Sequence, residues 1–486
     1  MKESLQLSSL IQQGKKVYLV GIGGVGMSAL ALVLEASGLC VSGSDIKKKW
    51  SVKQLEGCGI PVALGHDTQR VSEADWVIYS TAISQTNPEL TIARKLGIPI
   101  YHRADVLAFL MNRAISLAVT GTHGKTTSAA LASFLLAQAG LHPTCLVGGE
   151  LLNFGSNVLI GDPHLFIAEV DESDRSQLRF HPDFALITNL DTDHLDVYRD
   201  IADLKQSFRS FVDQIKKSGC VIYCLDDRNV SSVVQEALPE AGSISYGLSR
   251  QSDFCVHDVV LDGFKSRYVL FEYGNRIGQI ELSVPGLHNV VNSLGVIALI
   301  RRFGLRYDQF LRFLPDFRGA ARRLQVKLQQ DRLMVVDDYA HHPTEVLASL
   351  HALKQLGKKT TAVFQPHRFS RSAYLADEFS TAFRFADRVL VTDIYGAGEE
   401  NAHQVRADSI YEAVKRGGHP DVRMIRRDEI VEFLALDRVV HRMWRSLKII
   451  VSLLLTPPWV WRKEARKEDH QLGIAILASF LMSFVD

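Results

Sequence analysis

The segment AVTGTHGKTTS, residues 118–128, constrains the fold of this chain more than any other part of its sequence. An apolar run typical of a buried strand ends in two closely spaced glycines, and the strongly helix-forming run TTSAALASFLLAQAG follows at once. A glycine-containing turn between a buried strand and a helix directs backbone N–H groups and the helix N-terminus at one point, which is the arrangement that binds phosphate. The segment therefore predicts an α/β unit with a phosphate site at the end of its strand.

The loop is shorter than the widespread G-x-x-x-x-G-K-[ST] pattern, which has a glycine five residues before Gly124, where this chain has Val119. In a nucleotide-binding loop, Lys125 would contact the β- and γ-phosphates and the Thr126 hydroxyl would bind Mg²⁺. The alternative is an ordinary strand-to-helix turn with a surface lysine. Because Gly-Lys-Thr falls at the strand-to-helix junction, we favour the nucleotide-binding loop.

Short apolar runs alternate with helical stretches along almost the whole chain, a pattern that predicts an α/β fold with mostly parallel sheets. With 486 residues, the chain is too long for a single core and long enough for about three domains. Gaps between three blocks of alternating elements place the boundaries near residues 108 and 318. The predicted domains are residues 1–107, 108–317 and 318–434, followed by a tail at 435–486.

Composition and charge exclude several classes of protein. A net charge of +1 gives no basic footprint, so no nucleic-acid partner is expected. The six cysteines contain no C-x-x-C pair and mostly lie in apolar runs, which favours reduced, buried thiols in a cytoplasmic protein. The uncharged run at residues 17–34 has a glycine-rich centre and fits a strand, a turn and a helix better than a membrane span, so no integral membrane segment is expected.

A complete G-x-G-x-x-G pattern, GIGGVG, follows the first apolar run and opens the next helix. Its glycines are Gly21, Gly23, Gly24 and Gly26, and Asp45 closes the second strand. The pattern binds a diphosphate on a helix N-terminus without fixing the nucleotide, so NAD and a UDP-sugar are both candidates. An ATP loop in the next domain needs a phosphoryl acceptor, and this favours the UDP-sugar.

Acidic and histidine side chains follow two further strands of the central block. In EVDESD, Glu169 or Asp171 would lie at the carboxyl end of a strand, where nucleotide-bound Mg²⁺ needs an oxygen ligand, and a solvated acidic loop is the equal alternative. In TNLDTDHLDVY, Asp193 is the expected helix N-cap, and His194 either belongs to that turn or contacts a second metal ion.

The remaining candidates lie at one helix start and in two arginine clusters. His288, Asn289 and Asn292 in GLHNVVN are able to hydrogen-bond a base or ribose, although capping is the commoner role of such an asparagine. Arginines recur in FRGAARRL and QPHRFSR, and DDYAHHPTE combines paired acids with paired histidines. Arginine suits phosphates, carboxylates and the charge that develops in a transition state. Pro343 fits the first position of a helix.

These motifs occur in the order found in the Mur ligases of peptidoglycan synthesis, and the chain resembles that family over roughly residues 15 to 432. The resemblance is carried by VGIGGVGMSALA, GSD, GTHGKTT, EVDESD, TNLDTDHLDVY, GLHNVVNSLG, ARRL, DDYAHHPTE, QPHRFSR and YGAGE. In that family the short loop is the normal form. The resemblance implies a Rossmann-like N-terminal domain for the UDP-sugar, a central P-loop ATPase domain with a mostly parallel sheet, and a Rossmann-like C-terminal domain. Domain closure would bring third-domain residues to the loop.

The resemblance also implies the reaction, its two substrates UDP-N-acetylmuramate and L-alanine, and the cofactors ATP and Mg²⁺. The γ-phosphoryl group of ATP passes to the lactyl carboxylate of the sugar, and the amine of L-alanine then displaces phosphate from the acyl phosphate. Three alternatives stay open: a recycling ligase that joins a preformed tripeptide to the same sugar, a catalytically impaired UDP-sugar-binding protein, and an NAD-dependent oxidoreductase based on the first glycine pattern.

Residue by residue, the resemblance implies four kinds of role. Catalytic roles fall on Lys125, Glu169, His194, His342 and Arg371. ATP contacts fall on Gly121, Thr122, His123, Gly124, Lys125, Thr126, Thr127, His288, Asn289, Asn292, Arg322 and Arg323. UDP-sugar contacts fall on Gly21, Gly23, Gly24, Gly26, Asp45 and Arg368. Metal contacts fall on Thr126, Glu169 and His194.

The match to the family weakens at the C-terminal end. Ala340 stands where the family usually has glycine, and after about residue 433 the family pattern is lost. The tail has two apolar runs, at residues 447–461 and 472–485, each short for a membrane span. We expect a divergent end in place of the last strand and helix, which gives the third domain an atypical C-terminal end. A homodimer is one assembly that the resemblance allows.

Overall fold

The computed structural model describes residues 2–330, 333–430, 432–434 and 448–453. The chain splits into two compact units, Met1–Ala321 and Arg322–Asp486, and each is described by itself. Two sheets lie in the first unit and one in the second. Within the described ranges, no helix combines the length and the apolar content needed to cross a membrane.

The first sheet has five parallel strands in the order β3-β2-β1-β4-β5. Its strands are β1 Lys16–Val20, β2 Cys40–Asp45, β3 Val62–Leu64, β4 Trp76–Tyr79 and β5 Ile100–His102. The helices around it are α1 Lys2–Leu10, α2 Val25–Ala36, α3 Trp50–Gly57, α4 Thr68–Ser72, α5 Pro88–Leu96 and α6 Arg103–Asn112. The strand order reverses between β1 and β4, which is the switch point where such sheets bind ligands, so the Rossmann-like prediction is confirmed.

The second sheet has ten strands in the order β15-β14-β13-β12-β11-β10-β6-β9-β7-β8. Its strands are β6 Ile115–Thr120, β7 Pro143–Leu151, β8 Ser156–Leu159, β9 Asp162–Glu169, β10 Phe184–Ile187, β11 Cys220–Cys224, β12 Ser243–Gly247, β13 Phe254–Asp262, β14 Lys265–Glu272 and β15 Asn275–Leu282. Its helices are α7 Lys125–Gln138, α8 Ile201–Val212, α9 Arg228–Ala237, α10 Leu287–Phe303 and α11 Tyr307–Phe310, with 3₁₀ helices at Ser176–Arg179 and Leu311–Asp316. Pairing is parallel from β13 to β7 and antiparallel at both edges, so the predicted mostly parallel sheet is confirmed.

The third sheet has six strands in the order β16-β17-β21-β18-β19-β20, all parallel except the edge strand β16. Its strands are β16 Gln325–Gln330, β17 Leu333–Asp337, β18 Lys359–Phe364, β19 Arg388–Val391, β20 Val422–Met424 and β21 Lys448–Leu453. Its helices are α12 Pro343–Lys354, α13 Phe369–Tyr374, α14 Phe379–Ala382 and α15 Asp408–Arg416, with a 3₁₀ helix at Arg427–Glu429.

The C-terminal tail contributes one strand to the middle of this third sheet. The backbone of Lys448–Leu453 pairs with β17 on one side and with β18 on the other. A divergent end was expected in place of the last strand and helix, yet a segment of the tail fills the central strand position. The remainder of the apolar runs at residues 447–461 and 472–485 lies outside the described residues.

The cysteines separate into two groups. Cys145, Cys220, Cys224 and Cys255 are buried and unbridged, as predicted. The prediction of burial is wrong for Cys40 and Cys58, which are exposed. Cys40 opens strand β2, and Cys58 is the residue that ends helix α3, so both lie where an element meets solvent.

Candidate active site

The loop between β6 and α7 has the tight geometry that its glycines predict. Gly121 has φ +117° and Gly124 has φ +84°, in the left-handed region that other residues avoid. A Cβ at Gly121 would overlap Thr188 Oγ1, and a Cβ at Gly124 would lie 2.7 Å from Asn292 Oδ1. Both glycines are therefore required by backbone conformation and by close neighbours, and Val119 lies inside strand β6.

The segment that follows β10, residues 188–191, holds this loop in place by hydrogen bonds. The Asn189 side chain accepts from the His123 N–H at 2.8 Å and donates to the His123 carbonyl at 2.9 Å. Thr188 Oγ1 donates to the same carbonyl at 2.6 Å. His123 Nε2 lies 3.0 Å from Asp191 Oδ2, and the Asp191 N–H donates to Thr122 Oγ1 at 3.0 Å. The segment after β10 thus fixes the conformation of the loop.

Lys125 points its ammonium group back into the loop and at an acid that follows β9. Its Nζ lies 2.8 and 2.9 Å from the two carboxylate oxygens of Glu172 and also donates to the carbonyls of Gly121 and Thr122. Burial alone would lower the pKa of Lys125, but the nearby carboxylates, led by Glu172, raise it above its ordinary value. Lys125 is therefore a permanent cation at the phosphate end of the loop.

Thr126 and Glu169 place two oxygen groups side by side. Thr126 Oγ1 donates to Glu169 Oε2 at 3.0 Å, and the Gly148 N–H donates to the same oxygen at 2.9 Å. A Cβ at Gly148 would lie 2.5 Å from Glu169 Oε2, so glycine leaves room for this carboxylate. A hydroxyl and a carboxylate next to a phosphate loop form the hard oxygen set that Mg²⁺ prefers, so Thr126 and Glu169 fit that ion.

His194 lies beside Glu172 and Asp193, in a turn and not at a helix start. Its Nε2 is 3.9 Å from Glu172 Oε1 and 3.7 Å from Asp193 Oδ2. The prediction that Asp193 caps a helix is wrong, because α8 begins at Ile201 and its N-cap is Asp200. The positive φ of His194, +55°, and two backbone hydrogen bonds to its carbonyl define a turn that brings the imidazole to the acids. The charges of Lys125 and His194 outweigh burial and lower the pKa of Asp171.

The start of α10 lies against the loop. Its N-cap is Gly286, so neither asparagine caps the helix through its side chain. Asn289 Nδ2 donates to the Pro285 carbonyl at 2.7 Å, and Asn292 Nδ2 donates to Asn289 Oδ1 at 3.3 Å. Asn292 Oδ1 lies close to Gly124. His288 is half-buried at the same helix start, and Thr127 is buried in the first turn of α7.

The first glycine pattern uses part of its backbone to build its own turn. The N–H groups of Ile22 and Gly24 donate to the carbonyls of Ser44 and Gly21, at 2.9 and 3.1 Å. The Gly23 N–H donates to Asp45 Oδ2 at 3.0 Å. The donors that the helix leaves for a diphosphate are therefore those of the first turn of α2.

Asp45 does not present a carboxylate to a ligand as the acid of a dinucleotide site does. Its side chain is only 4% exposed, and its oxygens accept from the N–H groups of Gly23 and Lys47, with Lys49 Nζ at 3.5 Å. In NAD-binding domains the acid at this position bonds the ribose hydroxyl. Here Asp45 fastens the glycine turn to β2, which weighs against the NAD alternative.

Arg103 lies against this pattern and was missed from the sequence. A Cβ at Gly26 would overlap Arg103 Nη1, so the guanidinium rests on the first turn of α2. Arg103 opens α6 directly after β5, and the carboxyl ends of parallel strands share one edge of a sheet. An arginine directly after a short strand, as in YHRADVL, is the sequence feature from which Arg103 could have been predicted.

A second contact joins the first sheet to the acidic segment after β9. Thr81 Oγ1 donates to Asp174 Oδ2 at 2.6 Å and lies 3.0 Å from His102 Nε2. Burial, against the attraction of Asp174, lowers the pKa of His102. The neutral ring also caps α6, since the Ala104 N–H donates to its Nδ1. The segment EVDESD thus contacts both the ATP-type loop and the sheet with the first glycine pattern.

In the second unit, the predicted arginines surround Tyr339. The guanidinium groups of Arg322 and Arg323 lie 5.0 and 5.4 Å from its ring centroid. Arg322 Nε is 3.6 Å from Asp337 Oδ2, and Arg323 Nη1 is 3.8 Å from Glu345 Oε1. The cations are held by cation–π contacts and by acids of the same motif.

His342 and Asp338 of DDYAHHPTE are buried. His342 is fully buried and accepts from the Thr344 N–H through Nδ1, which caps α12, and Pro343 takes the first helical position as predicted. Asp338 accepts from Ser349 Oγ at 2.8 Å and from the Ala340 N–H at 2.9 Å. Burial, opposed by Arg323, raises the pKa of Asp338 to about 6.

Arg368 and Arg371 lie at the start of α13. Arg371 is buried, and its Nη1 lies 3.0 Å from His367 Nδ1, which must be the acceptor because a guanidinium only donates. Arg368 Nη1 is 3.6 Å from Glu399 Oε1. Glu399 also accepts from both the N–H and the hydroxyl of Ser370. Both arginines are thus oriented by partners within their own unit.

Three family models match consecutive parts of the chain. They are the Mur ligase family catalytic domain at residues 16–114, the Mur ligase middle domain at residues 119–300, and the Mur ligase glutamate ligase domain at residues 322–442.

Relatives and solved structures give the same family. The UDP-N-acetylmuramate–L-alanine ligase of Geotalea uraniireducens is 40% identical over 412 residues, 85% of this chain and 90% of that protein. The ligase of the same name from Geobacter sp. strain M21 is 40% identical over 423 residues, 86% of this chain and 91% of that protein. The crystal structure of UDP-N-acetylmuramate–alanine ligase from Thermotoga maritima superposes with a TM-score of 0.74 at 28% identity, covering 90% of this chain and 95% of that one. The murein peptide ligase of Psychrobacter arcticus, at 22% identity and a TM-score of 0.68, covers 90% of this chain and 95% of that one and shares the fold. With models matched from residue 16 to residue 442 and relatives this similar, the chain belongs to the Mur ligase family.

Proposed function

We propose that this chain joins L-alanine to the lactyl carboxylate of UDP-N-acetylmuramate and converts ATP to ADP and phosphate. The observation that carries the proposal is the cluster at the β6–α7 loop, where Lys125, Thr126 and Glu169 combine a cation, a hydroxyl and a carboxylate around a phosphate-binding turn. Relatives that are 40% identical over most of their length carry the name of this ligase.

The loop would bind the triphosphate. Lys125 would neutralise phosphate charge, and the N–H groups of the first turn of α7 would donate to phosphate oxygens. Thr126, Glu169 and His194 would hold Mg²⁺, which when bound offsets the charge of the phosphates. Asn289 and Asn292, at the adjacent helix start, would contact the nucleotide.

The first sheet would bind the UDP-sugar. The first turn of α2, which begins at Val25 and includes Gly26, would receive the diphosphate, and Arg103 would add a guanidinium to it. Asp45 would act by shaping the turn, because its oxygens already accept from the backbone of the turn.

The chemistry would proceed in two steps. A carboxylate oxygen of the sugar attacks the γ-phosphorus, the bond to the β-phosphate oxygen breaks, and ADP leaves. The amine of L-alanine then attacks the acyl carbon, phosphate leaves, and the amine loses a proton. Arg371, His342 and the arginines Arg322, Arg323 and Arg368 are proposed to serve these steps from the second unit.

The domain limits at 107 and 317, a cytoplasmic location and a homodimer stay predictions.

One assay separates the alternatives. The full chain is incubated with ATP, MgCl₂ and UDP-N-acetylmuramate, and phosphate release is measured with L-alanine or with the tripeptide L-alanyl-γ-D-glutamyl-meso-diaminopimelate. Release that depends on L-alanine supports the proposal. Release with the tripeptide alone favours the recycling reaction, and binding of the UDP-sugar without turnover favours an impaired enzyme. Nicotinamide fluorescence that is quenched on binding, with no ATP turnover, would favour the oxidoreductase.

A further inference from the structure

The ammonium group of Lys125 is fully engaged by the protein itself. It lies 2.8 and 2.9 Å from the two Glu172 oxygens, 2.6 Å from the Gly121 carbonyl and 3.2 Å from the Thr122 carbonyl. An ammonium group has only three protons, so these four acceptors use its whole donor capacity. The two side chains are 12% and 1% exposed, so water does not weaken this ion pair as it would on the surface.

Glu172 is held firmly by its main chain. Its carbonyl accepts from the hydroxyl of Tyr198 at 2.7 Å and from the Arg175 N–H at 3.0 Å. Tyr198 is itself buried, and its hydroxyl accepts from Gln177 Nε2 at 3.1 Å. The backbone of Glu172 is therefore nearly fixed next to the phosphate loop. Burial raises the pKa of its carboxyl to about 7, and the charge and hydrogen bonds of Lys125 oppose this by favouring the anion.

The other three acids of EVDESD are engaged elsewhere: Asp174 accepts from Thr81 Oγ1 at 2.6 Å in the contact with the first sheet. Glu169 accepts from Thr126 and from the Gly148 N–H, and Asp171 accepts from the N–H and the hydroxyl of Ser173. Glu172 is the carboxylate that contacts the lysine directly. A phosphate of ATP would need the same ammonium protons that Glu172 accepts.

We propose that Glu172 is a positioning residue that holds Lys125 across the nucleotide-free loop and competes with the phosphates of ATP for its ammonium group. This inference rests on the proposed function, because it takes ATP to bind at the loop. It follows that the loop is ordered before nucleotide arrives and that part of the intrinsic affinity for ATP is lost in displacing Glu172.

The test is the affinity of the full chain for the non-hydrolysable analogue AMP-PNP with MgCl₂, measured by titration calorimetry. Glu172→Gln keeps the size of the side chain and removes its charge, so AMP-PNP should bind about fivefold to tenfold more tightly. Glu172→Asp keeps the charge on a shorter side chain, and its affinity should lie between those of wild type and Glu172→Gln. The matched control is Glu89→Gln, another fully buried acid, which accepts from Tyr18 and the Asp67 N–H in the first sheet and should leave the affinity unchanged.

A double-mutant cycle with Lys125→Met isolates the competition from simple charge repulsion. In the Lys125→Met background, Glu172→Gln should change AMP-PNP affinity by less than about twofold, because no ammonium is left to compete for. An equal gain in both backgrounds would overturn the inference, as would unchanged or weaker binding by a Glu172→Gln protein with a normal unfolding temperature. If the wild-type chain does not bind AMP-PNP at all, the proposed function fails first, and the two failures are thereby distinguished.

Discussion

Thr126 Oγ1 donates to Glu169 Oε2 at 3.0 Å and lies 3.2 Å from Glu169 Oε1. The second residue of helix α7 and the last residue of strand β9 thus meet at one point, although 43 positions separate them in the chain. The parallel pairing of β6 with β9 brings the two residues together, because Val119 and Glu169 are in register near the ends of the two strands. A hydroxyl and a carboxylate arranged in this way need no rearrangement of the backbone to share a cation.

Glu169→Gln should abolish this shared site. The amide keeps the shape of the side chain but lacks the charge that a divalent cation needs, so the affinity for Mg²⁺ should fall by about 100-fold. The measurement is phosphate release as a function of MgCl₂ concentration. Glu240→Gln, an exposed acid paired with Lys217, is the control and should match wild type. An unchanged dependence on MgCl₂ in Glu169→Gln would remove Glu169 from the metal assignment.

Arg103→Ala should weaken the binding of UDP-N-acetylmuramate and leave ATP binding intact. Because a charged hydrogen bond to phosphate would be lost, the KM for the sugar should rise by about tenfold to 100-fold with little change in the KM for ATP. Arg113→Ala, at the other end of α6 where the guanidinium covers Phe109, is the matched control. If both variants raise the KM for the sugar equally, the effect comes from α6 as a whole and not from the guanidinium on Gly26.

Local signals were enough to predict the loop but not its surroundings. Glycine spacing and the Gly-Lys-Thr junction are properties of contiguous residues, and the strand, turn and helix lie where the segment predicts. The pairing of Lys125 with Glu172 depends on how β6 and β9 are aligned, which no contiguous pattern contains. The cap at Asp193 was wrong for a related reason: several acids precede α8, and Asp200, not Asp193, is the one whose carboxylate accepts from a helix N–H.

At the first glycine pattern, too, the local structure was predictable from the sequence and the contacts with distant residues were not. Its turn and helix were predictable, and the order of its five strands follows the doubly wound arrangement. The role of Asp45 was not predictable, because the sequence cannot tell whether an acid at the end of β2 faces a ligand or folds back onto the turn. Arg103 was missed because a single arginine after a short strand is common on surfaces, and its contact with Gly26 depends on the packing of α6 beside α2.

Asp338 should make the stability of the second unit depend on pH. Its pKa is about 6 in the folded chain against 3.8 when unfolded, so the folded state retains a proton that the unfolded state releases. Stability should therefore fall as pH rises from about 4 to about 6, by up to about 3 kcal/mol, and level off above that. Unfolding by urea between pH 4 and pH 7.5 measures this slope.

Asp338→Asn should reduce the slope in this window while lowering stability at pH 4, because its amide cannot accept from both the Ala340 N–H and Ser349 as the carboxyl does. Asp408→Asn, an exposed acid beside Arg406, is the control and should keep the wild-type slope. A wild-type slope in Asp338→Asn would show that another group carries the proton.

Gly124→Ala should introduce both backbone strain and a steric clash, and the same substitution at Gly140 should introduce the strain alone. Gly124 and Gly140 stand at the two ends of α7 with nearly the same φ, +84° and +83°, but only Gly124 has a close neighbour, since a Cβ there would lie 2.7 Å from Asn292 Oδ1. Gly140→Ala should cost about 1–2 kcal/mol of unfolding free energy from backbone strain alone. Gly124→Ala should cost more and should also weaken AMP-PNP binding by about tenfold or more, because Asn292 must move. Equal losses of stability with unchanged nucleotide affinity in both variants would mean that the contact between Gly124 and Asn292 does not shape the nucleotide site.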